Sequence, residues 1–321
     1  MAEIGVYGKL IHKGSGVYQE DVARWFVQQK LDWCWLQPPF PYTSPAGPCA
    51  TILKNAGRRI IIRLHFWDAP GVYPTSQTWT ELYNNNAYDA AVVQMVAQIN
   101  NFGIGNIYAV TISEEEPAQG YGWNQAALNV AHYVYGWNVL YDKLKTACPS
   151  LRIFSNNHPL TWLTDDQVKT VKQDGFFCHV YAETTESVTA YLARGMSLAQ
   201  QMGIGNELYT LIYAATGATY EPPGDPSTIR PNFEAAMNLG YKNIGFYCSN
   251  YLVSGQEEPI LFNDYPANTG VQPWIDPHLH KQAMMSLINQ YGEVGSSGGI
   301  SPLAWGVGGL VLIGLLSRKK R

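Results

Sequence analysis

Residues 59–67 read RIIIRLHFW, residues 88–101 read YDAAVVQMVAQINN, and residues 106–113 read NIYAVTIS. The first and third segments are runs of apolar and β-branched residues typical of buried strands. The middle segment spaces its apolar residues as an amphipathic helix does, and Gly103 follows it where a C-cap would lead into the next strand. This part of the chain therefore predicts a strand–helix–strand unit.

The same alternation extends over most of the chain. Strand-like runs occur at residues 4–10, 32–37, 59–67, 106–113, 152–156, 175–182, 208–214 and 243–251. Helix-like stretches occur at residues 19–30, 49–56, 88–101, 124–147, 164–172, 187–202, 228–239 and 277–290. Eight strand–helix units predict an α/β fold, a single (β/α)8 TIM barrel over residues 1–291. The alternative, a doubly wound open sheet, would carry a glycine-rich phosphate-binding loop after the first strand, and the sequence has none there.

The composition excludes several classes of protein. Charged residues make up 14% of the 321 residues, aromatic residues 13%, and the formal net charge is −4. Such a chain is too apolar to be disordered and too acidic to capture a phosphate backbone, so no nucleic acid is expected as a partner. No cysteine pair has metal-ligand spacing, and only His65 and His179 are expected near a shared site. We therefore expect neither a metal nor a cofactor.

The five cysteines are scattered, which is typical of small buried apolar residues. Cys34 and Cys49 bracket one loop, and a disulfide between them in an oxidising compartment is the alternative.

The C-terminal segment differs in composition from the barrel. Residues 292–299 are mostly glycine and serine and predict a flexible linker, while residues 300–317 carry no charge and precede the basic residues 318–321. A helix of that length spans about 27 Å, close to the hydrocarbon core of about 30 Å. Residues 300–321 therefore predict a transmembrane or sorting tail that places the barrel at the cell surface, outside the membrane. A buried terminal helix is the alternative.

This tail resembles the C-terminal sorting tails of prokaryotic surface proteins, with Gly298 and Gly299 as the small-residue motif. The resemblance implies membrane association through the tail. Residues 1–10 have neither the basic region nor the apolar core of a signal peptide, which leaves the export route open.

Function in a (β/α)8 barrel resides at the C-terminal ends of the strands. In strand four, apolar alternation turns Tyr108, Val110 and Ile112 toward the helices, so Glu115 is aimed at the barrel mouth. Alternation weakens at a strand end, and Glu116, directly before Pro117, is the competing candidate.

The same alternation sorts the residues of strands three and six. Outward positions are assigned to Ile60, Ile62, Leu64, Phe176, Cys178 and Val180. Inward positions are assigned to Arg63, His65, Trp67, His179, Tyr181 and Glu183. Buried charges are costly unless paired, so these residues form either a structural ion-pair network or a catalytic network. Their position near the strand ends favours the catalytic network.

The residues Glu115-Glu116-Pro117 and His179-Val180-Tyr181 resemble two motifs of the retaining glycoside hydrolases of clan A. In that family strand four ends in Asn-Glu-Pro with the Glu as acid/base, which implies this role for Glu116, whereas alternation implies it for Glu115. The family also places a nucleophilic Glu at the end of strand seven. Residues 208–216 contain no Glu, and the first beyond them is Glu221.

Glycoside hydrolysis requires two carboxyl groups, about 5 Å apart for retention of configuration and about 6.5 to 9.5 Å apart for inversion. Glu183 is the preferred partner of the strand-four carboxylate because strands four and six lie close together across the mouth. Glu221, Asp68, Glu257 and Glu258 are the alternatives.

These residues predict a glycoside hydrolase-like enzyme that cleaves a neutral oligosaccharide or polysaccharide by acid/base chemistry. Catalytic roles are assigned to Glu115, Glu116 and Glu183. Substrate-binding roles are assigned to Arg63, His65, Trp67, Asn156, His179, Tyr181 and Tyr213. The alternative is a non-catalytic barrel that binds glycans or builds a surface layer.

Overall fold

The computed structural model describes residues 2–8, 20–36, 46–66, 69–70, 78–112, 129–156, 163–178, 185–214, 225–247, 249–251, 257–259 and 277–292. Its strands are β1 (Glu3–Gly8), β2 (Trp33–Leu36), β3 (Arg59–Leu64), β4 (Ala109–Ile112), β5 (Arg152–Ser155), β6 (Gly175–Phe177), β7 (Leu208–Tyr213), β8 (Asn243–Tyr247), β9 (Ser249–Tyr251) and β10 (Glu257–Pro259). Its α-helices are α1 (Glu20–Gln28), α2 (Gly47–Asn55), α3 (Thr78–Asn84), α4 (Tyr88–Phe102), α5 (Val130–Ala147), α6 (Asp165–Thr170), α7 (Thr185–Gln201), α8 (Pro226–Asn238) and α9 (Pro277–Tyr291).

Strands β1 to β8 form a closed parallel barrel in chain order. The barrel closes where β1 pairs with β8, with Gly5 opposite Gly245 and Tyr7 opposite Tyr247. Helices connect the successive strands, as parallel pairing requires. The predicted (β/α)8 TIM barrel is confirmed.

Local sequence signals define the helix ends. Gly57, Gly103, Gly203 and Gly240 all have positive φ, between 74° and 91°, and each lies just beyond a helix and ahead of a strand. A residue with a Cβ rarely adopts this conformation, so the C-cap predicted at Gly103 is confirmed, and Gly57, Gly203 and Gly240 follow their helices in the same way. At the other end, the Thr164 side chain and Gln167 form a capping box that starts α6.

The strands contribute to two separate cores, as strand alternation predicts. The outer core, between barrel and helices, contains the predicted outward residues Ile60, Ile62, Leu64, Val110, Ile112, Phe176 and Cys178. The inner core fills the barrel with Tyr7, Trp33, Trp35, Ile61, Ala109, Phe154, Phe177, Tyr209, Leu211 and Tyr247. The predicted orientation of Tyr108 is wrong: it packs against the inner core, because it precedes β4 and its ring turns under Phe154.

One tryptophan occupies much of the barrel interior. A Cβ on Gly5 would lie 2.0 Å from the Trp33 ring, and one on Gly245 would lie 2.5 Å from it. The two glycines therefore make room for the indole, which packs edge-to-face against Phe177 and Tyr209.

Charged residues close the N-terminal end of the barrel. Arg59 pairs with Glu3 and donates to the Tyr209 hydroxyl at 2.7 Å and to the Asn243 side chain at 3.0 Å. The neighbouring Glu207 accepts from the Tyr108 hydroxyl and pairs with Arg152. A structural ion-pair network thus exists, and it lies at the end of the barrel opposite the predicted mouth.

Several parts of the fold differ from the sequence-based expectation. The predicted strand at residues 243–251 is divided between β8 and β9, and β9 pairs with β10 in a separate two-stranded antiparallel sheet. Helix α3 was not predicted. Cys34 and Cys49 are buried free cysteines, so the alternative of a disulfide between them is wrong.

Within the described ranges, no helix is long and apolar enough to cross a membrane. Apart from Gly292, the predicted linker (292–299) and the predicted tail (300–321) lie outside those ranges.

Candidate functional site

Three tyrosine rings form a ladder across the C-terminal end of the barrel. Tyr7, near the end of β1, stacks on Tyr247 of β8 with ring centroids 4.9 Å apart and an interplanar angle of 14°. Tyr247 stacks in turn on Tyr213 of β7, at 5.7 Å and 16°. Tyr7 and Tyr247 are buried, whereas Tyr213 is half-buried. The ladder therefore runs from the barrel interior toward the mouth.

Two hydrogen bonds connect the residues around Tyr7 in the barrel interior. The Trp35 indole N–H donates to the Thr111 hydroxyl at 3.0 Å, and the Arg63 guanidinium donates to the Tyr7 hydroxyl at 3.2 Å. Arg63 is only 5% exposed, so its positive charge lies largely out of contact with water. We call Tyr7, Trp35, Arg63, Tyr213 and Tyr247 the mouth floor.

His65 follows the last residue of β3 and is held by a helix behind the barrel. The Gln98 side chain of α4 accepts from the His65 backbone N–H at 2.9 Å and donates to the His65 carbonyl oxygen at 2.6 Å. The amide thus satisfies both backbone groups of His65 directly beyond the last residue of β3. Leu64 and Phe66 pack in the outer core, so alternation directs the His65 side chain inward.

Asn156 lies directly beyond β5 and is 2% exposed. Phe154, two residues earlier, belongs to the inner core, so alternation places Asn156 on the same side and one layer closer to the mouth. The structure thus places the predicted residues Arg63, His65, Asn156 and Tyr213 at the C-terminal ends of three strands, β3, β5 and β7. Arg63 and Tyr213 are connected through the rings of Tyr7 and Tyr247.

The remaining predicted site residues lie outside the described part of the chain. They are Trp67, Glu115, Glu116, His179, Tyr181 and Glu183, together with the alternatives Asp68 and Glu221. Glu257 and Glu258 fall in β10, which belongs to the separate two-stranded sheet and not to the barrel. β7 carries Tyr213 at its end and no carboxylate.

The described residues contain no group of three or more His, Cys, Asp or Glu side chains that could hold a metal ion. Burial raises the pKa of Cys178 to about 12, and that of Cys34 well above its usual range, so neither thiol is a nucleophile near neutral pH.

Sequence reasoning missed three residues of this region: Tyr7, Tyr247 and Gln98. The two tyrosines could have been found by the alternation applied to strands three, four and six, since Val6 and Phe246 beside them face outward. Gln98 gives no comparable signal, because a glutamine in an amphipathic helix is usually solvent-exposed.

No protein-family model matches the sequence, and no curated protein sequence is significantly similar to it. Solved structures do share the fold. An endo-1,4-β-D-mannanase from Thermotoga petrophila has a TM-score of 0.57 at 13% identity, covering 91% of this chain and 100% of its own. GH5_18 from Streptomyces cattleya, solved with Manβ1-4GlcNAc, has a TM-score of 0.58 at 10% identity, covering 94% and 83%.

A chitinase domain from Pyrococcus furiosus, complexed with chito-oligosaccharides, is similar at a TM-score of 0.52 and 10% identity, covering 92% of this chain and 97% of its own. At these identities the likeness shows the fold, a glycoside hydrolase-like (β/α)8 barrel. The fold does not determine the activity, which depends on the residues of the site.

Proposed function

We propose that the protein hydrolyses O-glycosidic bonds of a neutral glycan at the C-terminal mouth of its barrel. The mouth floor is the observation that carries this proposal. A half-buried tyrosine, continuous with a stacked ladder, offers an apolar ring face to a sugar, while the hydroxyls and the buried Arg63 offer hydrogen bonds. A floor with both kinds of group suits a ligand that has apolar C–H faces and many hydroxyls.

The proposed chemistry uses two carboxyl groups above this floor. Glu115 or Glu116 donates a proton to the glycosidic oxygen, and Glu183 is the second carboxylate, acting as a nucleophile or as the base that activates water. The charge of Arg63 favours the ionised form of a carboxylate close to it, whereas a carboxyl group surrounded by aromatic rings retains its proton. Two short motifs that resemble those of clan A, and a fold similar to that of a mannanase and a chitinase, support this proposal.

The end of β7 favours a second candidate function. The clan A nucleophile position at the end of strand seven carries no carboxylate here, and Tyr213 ends the strand. A barrel that binds glycans without cleaving them, or that builds a surface layer, would need the mouth floor but no carboxylate pair.

Substitution of the carboxylates separates the two candidates. Glu115→Gln, Glu116→Gln and Glu183→Gln are compared for release of reducing ends from β-mannan, cellulose and chitin oligosaccharides. Glu186→Gln is the matched control, because Glu186 is an exposed residue in the first turn of α7, only three positions from Glu183. Hydrolysis lost in Glu183→Gln and kept in Glu186→Gln supports the enzyme. Binding by the unmodified protein with no hydrolysis supports the glycan-binding barrel.

We further propose that residues 300–321 attach the barrel to the outer face of a membrane, as the uncharged run and its basic end suggest. The test is fractionation of cells that produce the full chain or a chain ending at residue 292. The full chain should sediment with membranes and the shorter one should not; equal distribution of both would exclude the anchor.

A further inference from the structure

A cluster of four aromatic residues lies on the outside of the barrel, where α3, α4 and α5 meet. Tyr83 stacks on His132 with centroids 4.1 Å apart and an interplanar angle of 11°, and Tyr135 packs edge-on against Tyr83 at 5.5 Å. Tyr88 packs against Tyr135 at 6.2 Å. We call Tyr83, Tyr88, His132 and Tyr135 the tyrosine cluster.

Two rings of this cluster face solvent. Tyr135 is 54% exposed and Tyr83 is 43% exposed. Neighbouring exposed aromatic rings are unusual on a monomer surface and mark places where another molecule binds. Tyrosine suits such a role because it offers a large rigid surface and loses little conformational entropy on binding.

The cluster also contains a polar group without a partner. Tyr88 is 3% exposed, and its hydroxyl makes no hydrogen bond in the structure. Buried hydroxyls are nearly always bonded, so this one calls for an explanation. Burial, together with the nearby hydroxyls of Tyr135 and Tyr83, raises the pKa of Tyr88 to about 12. Tyr88 and Tyr83 both pack against the ring of Tyr135, so a molecule bound at Tyr83 and Tyr135 would lie beside Tyr88 and could supply the missing bond.

The surroundings of the cluster are neutral and rich in amides. Asn84, Asn85 and Asn86 follow Tyr83 and are exposed, and Asn86 has a positive φ of 47°. Asp89, the second residue of α4, is paired with Lys143 of α5 at 2.6 Å. The ring of His132 is fixed by contacts of its two nitrogens with Thr80 at 3.2 Å and Asn129 at 3.4 Å. The site therefore combines fixed rings with adaptable amide groups and has little net charge.

The cluster lies toward the same end of the barrel as the mouth. In a (β/α)8 barrel the helix that leads into the next strand runs antiparallel to the strands, so its N-terminus lies at the mouth end. Tyr88 is the first residue of α4, and His132 and Tyr135 lie in the first two turns of α5. A chain molecule held at the mouth could therefore extend over this surface.

We infer that the tyrosine cluster is a second binding site for a neutral oligosaccharide, separate from the mouth. Ring faces, amides and an unpartnered hydroxyl in neutral surroundings are the groups that a sugar chain can satisfy together. The choice of ligand rests on the proposed function, whereas the existence of a site rests on the cluster alone. Substrates long enough to reach both sites would bind more tightly than short ones.

The test measures the binding of mannohexaose, cellohexaose and chitohexaose by calorimetry. The parent for this test is the full chain with Glu183→Gln, and the variant is the same chain with Tyr83→Ala and Tyr135→Ala added. Leu279→Ala is the matched control, because it removes an equally exposed apolar side chain from the distant helix α9. We expect the double tyrosine variant to bind at least tenfold more weakly, or to lose one of two binding events. The control should bind as the parent does. Hydrogen exchange should show protection by the sugar at residues 83–88 and 132–136.

The outcomes separate this inference from the proposed function. Unchanged binding in the double tyrosine variant, with protection limited to residues near the mouth, would overturn the second site and leave the proposed function standing. Binding that needs the tyrosines, together with no hydrolysis by the protein that keeps Glu183, would support the second site and overturn the hydrolase. Absence of binding to all three sugars would overturn both.

Discussion

The side-chain amide of Gln98 bonds both backbone groups of His65, accepting from the N–H at 2.9 Å and donating to the carbonyl oxygen at 2.6 Å. Gln98 lies on α4, behind the barrel wall, and is 1% exposed. One buried side chain thus sets the course of the chain immediately beyond β3. Since residue 67 and the mouth follow directly, α4 contributes to the geometry of the site without lining it.

Replacing Gln98 with Met should therefore destabilise the protein and loosen the end of β3. The methionine fills a similar volume but leaves a buried N–H and a buried carbonyl unpaired, at about 1–3 kcal/mol for each group. We expect the free energy of unfolding in urea to fall by about 2–5 kcal/mol and the amide of residue 65 to exchange faster.

Gln94→Met is the control for this substitution. Gln94 lies one turn earlier on the same helix, and its side-chain oxygen is buried without a hydrogen-bond partner. Its replacement should change the free energy of unfolding by less than about 0.5 kcal/mol. Equal stabilities of the two variants would show that the Gln98 bonds do not hold the end of β3.

Gly245→Ala should disrupt the barrel interior. The added Cβ would lie 2.5 Å from the Trp33 ring, and the indole has no free space because the rings of Phe177 and Tyr209 pack against it. Overpacking of this kind costs about 1–3 kcal/mol or more, and we expect a loss of soluble protein or a lower thermal midpoint.

The control, Gly105→Ala, adds a methyl group whose nearest neighbour is 3.8 Å away, and it should behave like the parent. A Gly245→Ala protein with the parent's thermal midpoint would mean that Trp33 does not fill the space beside β1 and β8.

The N-cap of α8 should make stability depend on pH. Hydrogen bonds from Ser227 lower the pKa of Asp225 from its ordinary 3.8, and the backbone bond is 2.8 Å long. Because the folded-state pKa is lowered, this contribution is complete above about pH 4 and is lost as the pH falls through the folded-state pKa.

Asp225→Ala should lower the free energy of unfolding at pH 7 by about 0.5–2 kcal/mol, whereas Asp225→Asn should keep the cap and lose only the titration. Chemical denaturation of the three proteins between pH 2 and pH 7 is the measurement. A parallel pH profile for Asp225→Asn and the parent protein would contradict the assignment.

Tyr213→Ala should weaken glycan binding at the mouth. The substitution removes the outermost ring of the ladder, which stacks on Tyr247 at 5.7 Å. An aromatic contact contributes about 0.5–1.5 kcal/mol beyond the area that it buries, so we expect affinity for a hexasaccharide to fall about tenfold. Tyr213→Phe keeps the ring and should retain affinity to within about threefold, as measured by calorimetry. Undiminished affinity in Tyr213→Ala would show that the Tyr213 ring does not contact the glycan.

The fold was predictable because its signals are local and repeated. Each strand of the barrel is a short apolar run, and four of the described helices are followed by a glycine with positive φ, such as Gly57 or Gly240. The end of the eighth strand was predicted wrongly because no glycine or proline separates β8 from β9, while the pairing partner changes from the barrel to β10. A sequence pattern records apolar content and carries no information on the partner.

The candidate site was only partly predictable, for a related reason. Alternation placed Arg63 correctly, because the bulky residues Ile60 and Ile62 fix the outward face. It failed at Tyr108, which lies directly before β4 and so does not follow the alternation of the strand. The bond between Gln98 and His65 joins residues 33 positions apart through a helix face, and no local pattern specifies such a contact.

The most direct test of the central claim is hydrolysis of neutral oligosaccharides by the full chain, with Glu115→Gln, Glu116→Gln and Glu183→Gln beside Glu186→Gln. Reducing ends released from mannohexaose, cellohexaose and chitohexaose would be counted for each protein at equal folded concentration. The proposal predicts that the parent and Glu186→Gln cleave at least one sugar, and that Glu183→Gln and one of the two strand-four variants lose at least a hundredfold in rate. Cleavage at the parent's rate by all three mouth variants, or no cleavage by a parent that binds the sugars, would contradict it.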